Sequence, residues 1–412
     1  MKVAVVTLGC KVNQAEANII QGTLKDNGIS IVKLKENPDY CIVNTCSVTA
    51  KSDYNSRQLI RRAAREGSKV IVTGCYSQLR PAEVRRIHGV EEIIDISRKN
   101  DIISLLTKKT AVPYHGNHSQ SRPLIKIQDG CDFQCSYCVV PLARGKSRSI
   151  PYETILEQSK IIESLGYHEV VLTGIHLGTY GRDLREKTTL NSIVRRLLDD
   201  LTIDRIRLSS LEINEINDEL IEIMQDKRIC RHLHIPLQSG SSRILQLMRR
   251  TYSAEYFEER FKYIFSRIDN ISIGTDVIVG FPGEHENEFR QTYELTRALP
   301  FSYIHVFPFS SRPGTEASKM KGKLSVKEIR CRMKSMIQLK EMKKKEYMIK
   351  QLQEPLDVIL EDRVSKSTIM GTSGNYMKVS VVSETHAKGE RVFVRADRIR
   401  NNLLEGNVMK CS

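Results

Sequence analysis

The feature that most constrains the fold is a regular alternation of short apolar segments with segments of helical periodicity. In the N-terminal part, helical periodicity over Asn13–Asp26 and Ser52–Arg65 separates apolar stretches that have the length of strands. These stretches are Val3–Leu8, Tyr40–Asn44, Val70–Thr73 and Glu92–Ile96. Because strands that alternate with helices pair in parallel, the pattern predicts a three-layer α/β domain with a parallel sheet.

The same alternation resumes at Leu124 and continues through most of the chain. Six strand candidates follow one another: Leu124–Ile127, Glu169–Thr173, Arg205–Ser209, His232–Pro236, Ser272–Val279 and Tyr303–Phe307. Six strand–helix units predict a partial or complete β/α barrel. In such barrels the chemistry lies at the carboxyl ends of the strands, and we therefore expect the functional residues there.

The pattern changes at two further places. Residues 112–122 show no periodicity and predict a linker, whereas Ser325–Lys350 predicts a long basic helix. After this helix, Leu356–Leu360, Met377–Val382 and Arg391–Val394 read as strands separated by turn-like residues at 371–375 and 388–389. They predict a small all-β barrel. The predicted division is therefore residues 1–112, 122–350 and 351–412.

Charge and cysteine content limit the class of protein. The chain has 64 basic and 49 acidic residues, a net charge of +15 and a pI near 9.3, which favours a polyanionic partner such as nucleic acid but also fits a basic protein without one. No apolar run approaches the roughly 18 residues of a membrane span, and no signal-peptide cleavage site follows the first apolar stretch. We predict a cytoplasmic protein without membrane contact. In a reducing compartment, ten cysteines favour metal or redox chemistry over disulfides.

Three cysteines, Cys131, Cys135 and Cys138, lie within one loop after a predicted strand. Three thiolates can ligate three irons of a cubane cluster and leave the fourth iron open to a small molecule. A zinc site would need a fourth ligand, and no histidine lies nearby. The spacing therefore favours an iron–sulfur cluster over zinc.

A second set of cysteines, Cys10, Cys46 and Cys75, follows three separate strand candidates of the N-terminal domain. The carboxyl ends of parallel strands meet at one edge of a sheet, so the three thiols are expected to converge. Gly9 and Gly74 allow a close backbone approach, and the N-termini of the following helices favour an anionic cluster. The alternative is three unrelated buried thiols.

The loop Cys131–Cys138 resembles the signature of radical S-adenosylmethionine (SAM) enzymes. With the second cysteine set and the C-terminal β-domain, the whole chain resembles the methylthiotransferase family, whose C-terminal module is an RNA-binding TRAM domain. The resemblance implies two 4Fe–4S clusters, a radical cluster on Cys131, Cys135 and Cys138 and an auxiliary cluster on the other three cysteines. It also implies two uses of SAM: one methylates a sulfur held at the auxiliary cluster, and the other yields a 5′-deoxyadenosyl radical that abstracts hydrogen from carbon 2 of an adenine.

The resemblance extends to further residues. Tyr137 fills the aromatic position near the adenine of SAM, with a core aromatic as the alternative, and the carboxyl-end residues Gly174, Glu212 and Gln238 suit contacts to SAM. The basic residues Arg144, Lys146 and Arg148 suit contacts to RNA, with a solvated loop as the alternative. Asn13 and Asn44 match local motifs and are expected to hold loops or cap helices. Structural roles are expected for His176 and His234, and packing or surface positions for Cys41, Cys230, Cys331 and Cys411.

The opening TLGCKVNQ and the run IQDGC look most like the branch that acts on threonylcarbamoyladenosine in tRNA. The resemblance implies conversion of that nucleoside at position 37, beside the anticodon, to its 2-methylthio derivative. It also implies binding of the anticodon stem-loop and a low-potential electron donor such as flavodoxin or ferredoxin. Isopentenyladenosine in tRNA and a ribosomal protein aspartate remain alternative targets, and a non-enzymatic metal-containing RNA-binding protein is the alternative from another class. The sequence leaves the sulfur donor and the oligomeric state open.

Overall fold

The computed structural model describes residues 1–107 and 120–409. Most of the predicted linker and Cys411 lie outside these residues. The N-terminal part forms a five-stranded parallel sheet in the order β2-β1-β3-β4-β5. Its strands are β1 (Lys2–Thr7), β2 (Ser30–Ile31), β3 (Tyr40–Thr45), β4 (Lys69–Gly74) and β5 (Val90–Ile93). Its helices are α1 (Lys11–Asp26), α2 (Ala50–Arg65), α3 (Cys75–Leu79), α4 (Pro81–Arg85) and α5 (Asp101–Thr107).

Helices cover both faces of this sheet. Successive residues of its central strands point to opposite sides, so each strand packs against helices on both faces. Cys41 and Val43 pack with Ile60 of α2 on one face, whereas Ile42 packs with Leu24 of α1 on the other. The predicted three-layer α/β architecture is thus confirmed. The prediction missed the two-residue strand β2. It also placed the last strand too late, since the side chain of Asp95 caps a short 3-10 turn at residues 96–98.

The central part is an open barrel of six parallel strands. Sheet β6-β9-β10 and sheet β11-β12-β13 are joined by a parallel bridge between Ile206 and Ile229. Within the described residues, the edge strands β6 and β13 do not pair with each other, so the barrel is partial. The strands are β6 (Leu124–Lys126), β9 (Glu169–Thr173), β10 (Arg205–Leu208), β11 (His232–His234), β12 (Ser272–Val279) and β13 (Tyr303–Pro308), with a small antiparallel pair β7 (Gln128–Asp129) and β8 (Arg148–Ser149). The helices are α6 (Val140–Arg144), α7 (Tyr152–Ser164), α8 (Leu190–Asp200), α9 (Asp218–Ile223), α10 (Ser242–Leu247), α11 (Ala254–Arg267) and α12 (Glu286–Ala298). All six predicted strands are present, but the pair β7–β8 was not predicted.

The long basic helix α13 (Val326–Lys350) begins with a reciprocal capping box between Ser325 and Glu328. One side of it packs on the central barrel, where Arg332 pairs with Glu284 and Lys343 donates to the carbonyl of Arg297. Part of its basic character is therefore structural. Exposed basic residues remain on its other side, namely Lys327, Arg330, Lys334, Lys345 and Lys350.

The C-terminal part is a closed barrel of five strands in the order β14-β15-β16-β18-β17. The predicted small β-barrel is thus confirmed, although the sequence predicted only three of its strands. Its strands are β14 (Pro355–Ser365), β15 (Thr368–Ser373), β16 (Lys378–Val382), β17 (Arg391–Arg400) and β18 (Leu403–Val408). The turn predicted at residues 371–375 falls at 374–375 and begins later than expected, because Gly371 lies within β15. A Cβ there would lie 2.3 Å from Cγ1 of Val358, so the glycine allows close strand packing rather than a turn. In the described residues, no helix combines the length and apolar character that a membrane span requires.

The N-terminal sheet unit contacts both edges of the open barrel. At one edge, Ala15 of α1 packs against Leu124 and Val171. Beyond the other edge strand β13, Arg312 donates to Ser47 at 2.8 Å and pairs with Asp53. The N-terminal unit therefore spans the gap between the first and last barrel strands.

Candidate active site

The N-terminal cysteine trio, Cys10, Cys46 and Cys75, lies at one edge of the sheet. The three residues follow β1, β3 and β4, which are neighbours in the sheet. Gly9 has φ +103°, and a Cβ on it would lie 2.8 Å from Sγ of Cys46. The loops that carry Cys10 and Cys46 thus approach each other closely only because residue 9 is a glycine.

Two asparagines hold these loops together. The Nδ2 of Asn13 donates to the carbonyls of Leu8 at 2.7 Å and Thr45 at 2.9 Å. The Nδ2 of Asn44 donates in turn to the carbonyl of Asn13 at 2.9 Å. Asn13 and Asn44 therefore join the loop of Cys10 to the loop of Cys46.

The second trio, called the radical trio here, is Cys131, Cys135 and Cys138 in the loop between β7 and α6. The Nη1 of Arg250 donates to Sγ of Cys135 at 3.3 Å, and Sγ of Cys131 lies 3.6 Å from Nδ1 of His176. Nε2 of His176 is 2.6 Å from Glu215. Burial alone lowers the pKa of His176, but its hydrogen bonds to Cys131 and Glu215 raise it to about 9.

The donor chemistry of both trios fits a metal cluster. All nine cysteines in the described residues are free thiols. Burial raises the pKa of Cys75 to about 11 and that of Cys138 to about 12, so these thiols stay protonated without a cation. Metal coordination supplies the positive charge that makes buried thiols ligate as thiolates.

Arg144 of α6 lies where the N-terminal unit meets the central barrel, and its side chain is fully buried. Its guanidinium donates to Oδ1 of Asn13 at 2.5 Å, to Glu16 at 3.0 Å and to Asp129 at 2.7 Å. The cations around Glu16 hold the pKa of its carboxyl well below the usual range, although burial acts in the opposite direction. These cations are Lys99, Arg144 and Lys126.

This position corrects one of the RNA-contact predictions. A buried guanidinium that is paired with two carboxylates does not reach an RNA phosphate, so Arg144 has a structural role at the boundary of the two units. Lys146 and Arg148, in contrast, are exposed. For these two residues RNA contact stays a prediction.

The two trios lie on segments that touch. Cys75 packs with Ile96 and Ala143 in one apolar cluster, and Ala143 follows Cys138 closely in the chain. Arg144 adds a polar connection, because it contacts Asn13 next to Cys10. The fold therefore brings the two sets of thiols to one shared boundary between the N-terminal sheet and the central barrel.

The four residues predicted to contact SAM have different surroundings. Glu212 pairs with Arg250, the residue that donates to Cys135. A Cβ on Gly174 would lie 2.9 Å from Cδ2 of Leu177, so a side chain at this position would require its neighbours to shift. Gln238 has φ +64° and is bridged to β12 through Val277. Tyr137 packs in an apolar cluster with Phe281.

Sequence reasoning missed Arg250 and Glu16. Arg250 follows α10 in the run LMRRTY, which has no distinctive spacing, and only the fold shows its contact with Cys135. Glu16 lies almost one helical turn after Asn13 on α1, so the sequence places both residues on one helix face. The sequence does not show the distant residues with which Glu16 pairs in the folded protein. His234, which the sequence analysis treated as structural, lies with Asp276 and His305 on three adjacent barrel strands, and their nitrogen and oxygen atoms are within 4.8 Å of one another.

An open β/α barrel with a three-cysteine loop between its first strands defines a radical SAM enzyme. In agreement, the model described as "Radical SAM superfamily" matches residues 125–296, and "Uncharacterized protein family UPF0004" matches residues 2–95. The fold is also similar to that of the radical SAM methyltransferase TsrM from Kitasatospora setae. The TM-score is 0.57 at 16% identity, with 77% of this chain and 76% of that chain covered.

Two curated relatives carry the name threonylcarbamoyladenosine tRNA methylthiotransferase MtaB. The Aquifex aeolicus protein is 38% identical over 84% of this chain and 90% of its own length. The Bacillus subtilis protein is 36% identical over 92% of this chain and 89% of its own length. The chain therefore belongs to the radical SAM methylthiotransferase family.

Proposed function

We propose that this protein converts threonylcarbamoyladenosine at position 37 of tRNA to its 2-methylthio derivative. The observation that carries the proposal is the shared boundary of the two cysteine trios, joined by Arg144. The names of the two MtaB relatives support the choice of nucleoside. Isopentenyladenosine and a ribosomal protein aspartate are the alternative targets within the family.

The radical trio would hold one 4Fe–4S cluster with SAM, and the N-terminal trio would hold a second one. When bound, these groups supply reductive cleavage of SAM and a site for the sulfur that is transferred. The chain's own residues position the ligands: Arg250 orients Cys135, and Asn13 fixes the loops of Cys10 and Cys46. Tyr137, Gly174, Glu212 and Gln238 stay candidate SAM contacts.

The RNA would bind across the C-terminal barrel and the exposed side of α13. A TRAM-like role for the barrel agrees with its closed five-stranded form, and the net charge of +15 favours phosphate contacts. We assign residues 1–112 to the auxiliary-cluster domain, 122–350 to the radical SAM domain and 351–412 to the RNA-binding domain. A cytoplasmic enzyme would receive electrons from flavodoxin or ferredoxin.

Mass spectrometry of tRNA nucleosides tests the substrate. A strain that lacks the gene should lose the 2-methylthio derivative of threonylcarbamoyladenosine and regain it when the wild-type gene is supplied. A loss of the methylthio derivative of isopentenyladenosine instead would contradict the proposed nucleoside. An unchanged set of tRNA nucleosides with a changed mass of a ribosomal protein would indicate the protein target.

A second measurement separates the enzyme from a non-enzymatic RNA-binding protein. Anaerobically reconstituted protein should contain about eight irons for two cubane clusters and should form 5′-deoxyadenosine from SAM when it is reduced. Stoichiometric zinc without SAM cleavage would contradict the enzymatic proposal.

A further inference from the structure

A cavity of about 430 Å³ lies where α1, the β6 edge of the central barrel and the C-terminal barrel meet. Its volume falls in the range of roughly 300–1,000 Å³ that is typical of small-ligand pockets. Lys11, Gln14, Arg122, Tyr376 and Lys388 contribute to its lining. Because Lys11 directly follows Cys10, the cavity adjoins the N-terminal trio.

The basic residues of this cavity differ in whether they have an acidic partner. Arg122 pairs with Glu361 at 2.8 Å, and Lys388 pairs with Asp362 at 2.8 Å. The ammonium of Lys11, in contrast, has no hydrogen-bond or ion-pair partner within residues 1–107 and 120–409; its only close polar contact is with the ring of Tyr376, 5.2 Å from the centroid. Among the residues that the structure describes, the cavity thus presents one cation that lacks a counter-charge.

The surroundings of Lys11 do not supply that counter-charge. The guanidinium of Arg207 lies 5.2 Å from the centre of the same Tyr376 ring. Two carboxylates, Glu361 and Asp362, also line the cavity, but they are paired with Arg122 and Lys388. The buried carboxylate of Glu169 is likewise paired with Arg205 and Arg207. Because an unpaired charge in a partly buried position is costly, the arrangement favours an anionic ligand.

Tyr376 forms a fixed aromatic wall of the cavity. It has φ +68°, which is unusual for a bulky residue. The turn that carries it is held by Asn375, whose Nδ2 donates to Gln351 at 2.6 Å. Its ring lies 4.3 Å from the ring of His232. The cavity therefore combines a rigid aromatic face with a free ammonium, a combination suited to a planar group that bears an anion.

We propose that Lys11 binds the carboxylate of the threonylcarbamoyl group on the target adenosine and thereby selects this nucleoside. The inference rests on the proposed function. A threonylcarbamoyl group carries a carboxylate, whereas an isopentenyl group is an uncharged hydrocarbon. Occupation by the hydrocarbon would leave the ammonium desolvated and unpaired, and sites with an unpaired buried polar group reject such analogues strongly.

The test compares two anticodon stem-loop RNAs in binding to the reconstituted holoprotein. One carries threonylcarbamoyladenosine, and the other carries the same group with its carboxylate converted to the amide. Wild-type protein should bind the carboxylate form about tenfold or more tightly, as expected for one charge-assisted hydrogen bond. Lys11→Met should remove this preference by weakening the carboxylate form only, and Lys11→Arg should retain part of it. Lys25→Met, an exposed lysine at the other end of α1, is the matched control and should keep the full preference.

The outcomes separate the two proposals. Equal wild-type affinity for the two RNAs overturns the role of Lys11, even if Lys11→Met fails to fold. The same holds if Lys11→Met weakens both RNAs equally, because the ammonium then binds a backbone phosphate. Iron content and 5′-deoxyadenosine formation show whether the variant keeps its clusters. If wild-type enzyme yields no methylthio product from tRNA that carries threonylcarbamoyladenosine, the proposed function itself fails.

Discussion

The two cysteine trios serve similar chemistry but are built in different ways. The radical trio occupies one loop, and its three residues are each partly exposed, although the thiol of Cys138 is buried deeply enough to raise its pKa. The N-terminal trio draws one cysteine from each of three loops, with Cys10 exposed and Cys46 and Cys75 buried. Local spacing positions the first set, whereas strand order and close packing position the second.

This difference predicts unequal dependence on tertiary structure. The geometry of the N-terminal trio requires the sheet order β1-β3-β4, the glycine at position 9 and the hydrogen bonds of Asn13. Loss of any of these should disturb that trio before the radical trio. Three sets of variants, ordered by expected effect, test this comparison.

The largest effect is expected from removal of a ligand. Cys46→Ala should reduce the iron content by about half of the roughly eight expected and abolish methylthio transfer, but SAM cleavage should persist. Cys135→Ala should abolish SAM cleavage as well. Iron analysis and 5′-deoxyadenosine formation measure these effects, with exposed Cys331→Ala as the control. Loss of SAM cleavage in Cys46→Ala would show that the trios do not act separately.

A smaller but substantial effect is expected at the boundary of the trios. Arg144→Met removes the hydrogen bonds that its guanidinium donates to Asn13, Glu16 and Asp129, although Lys126 still pairs with both carboxylates. The loss of these buried, charge-assisted bonds should lower the free energy of unfolding by about 3–5 kcal/mol. Urea denaturation of the apoprotein measures this change. Arg148→Met removes an exposed guanidinium whose ion pair with Asp129 spans 3.8 Å, and it should change the free energy of unfolding by no more than about 1 kcal/mol. Similar values for both variants would mean that the boundary contributes little.

The smallest effect concerns two glycines with positive φ. A Cβ at Gly9 (φ +103°) would lie 2.7 Å from Cβ of Cys46, whereas Gly28 (φ +80°) has nothing within 4 Å. Gly28→Ala should cost about 1 kcal/mol from backbone strain alone. Gly9→Ala should cost about 1–3 kcal/mol more, because packing must also shift.

Chelator challenge of the two glycine variants extends the test to the clusters. Gly9→Ala should release iron from the N-terminal trio faster than wild type, while SAM cleavage by the radical trio is retained. Equal iron release from Gly9→Ala and Gly28→Ala would contradict the importance of close loop packing.

Strand prediction succeeded where buried strands are long apolar runs. Glu169–Thr173 and Ser272–Val279 were predicted with their observed bounds, and β1, β3 and β4 within one residue at either end. The missed elements are short, polar or interrupted by a glycine, as in the six-residue strands β15 and β18. β2 has two residues, and β7 and β8 form a two-residue ladder next to the radical trio. Such segments lack the periodicity that a sequence pattern needs.

The amino-acid sequence by itself determined the fold class, the two sets of three cysteines and the family, because periodicity, spacing and motifs are properties of the chain order. Only the tertiary structure decided what lies between those cysteines. From the sequence, Arg144 is predicted to contact RNA, and Lys11 has no predicted role. Their roles differ because burial and pairing depend on contacts with residues distant in the chain: Arg144 meets Glu16 and Asp129, whereas Lys11 meets no carboxylate among the described residues.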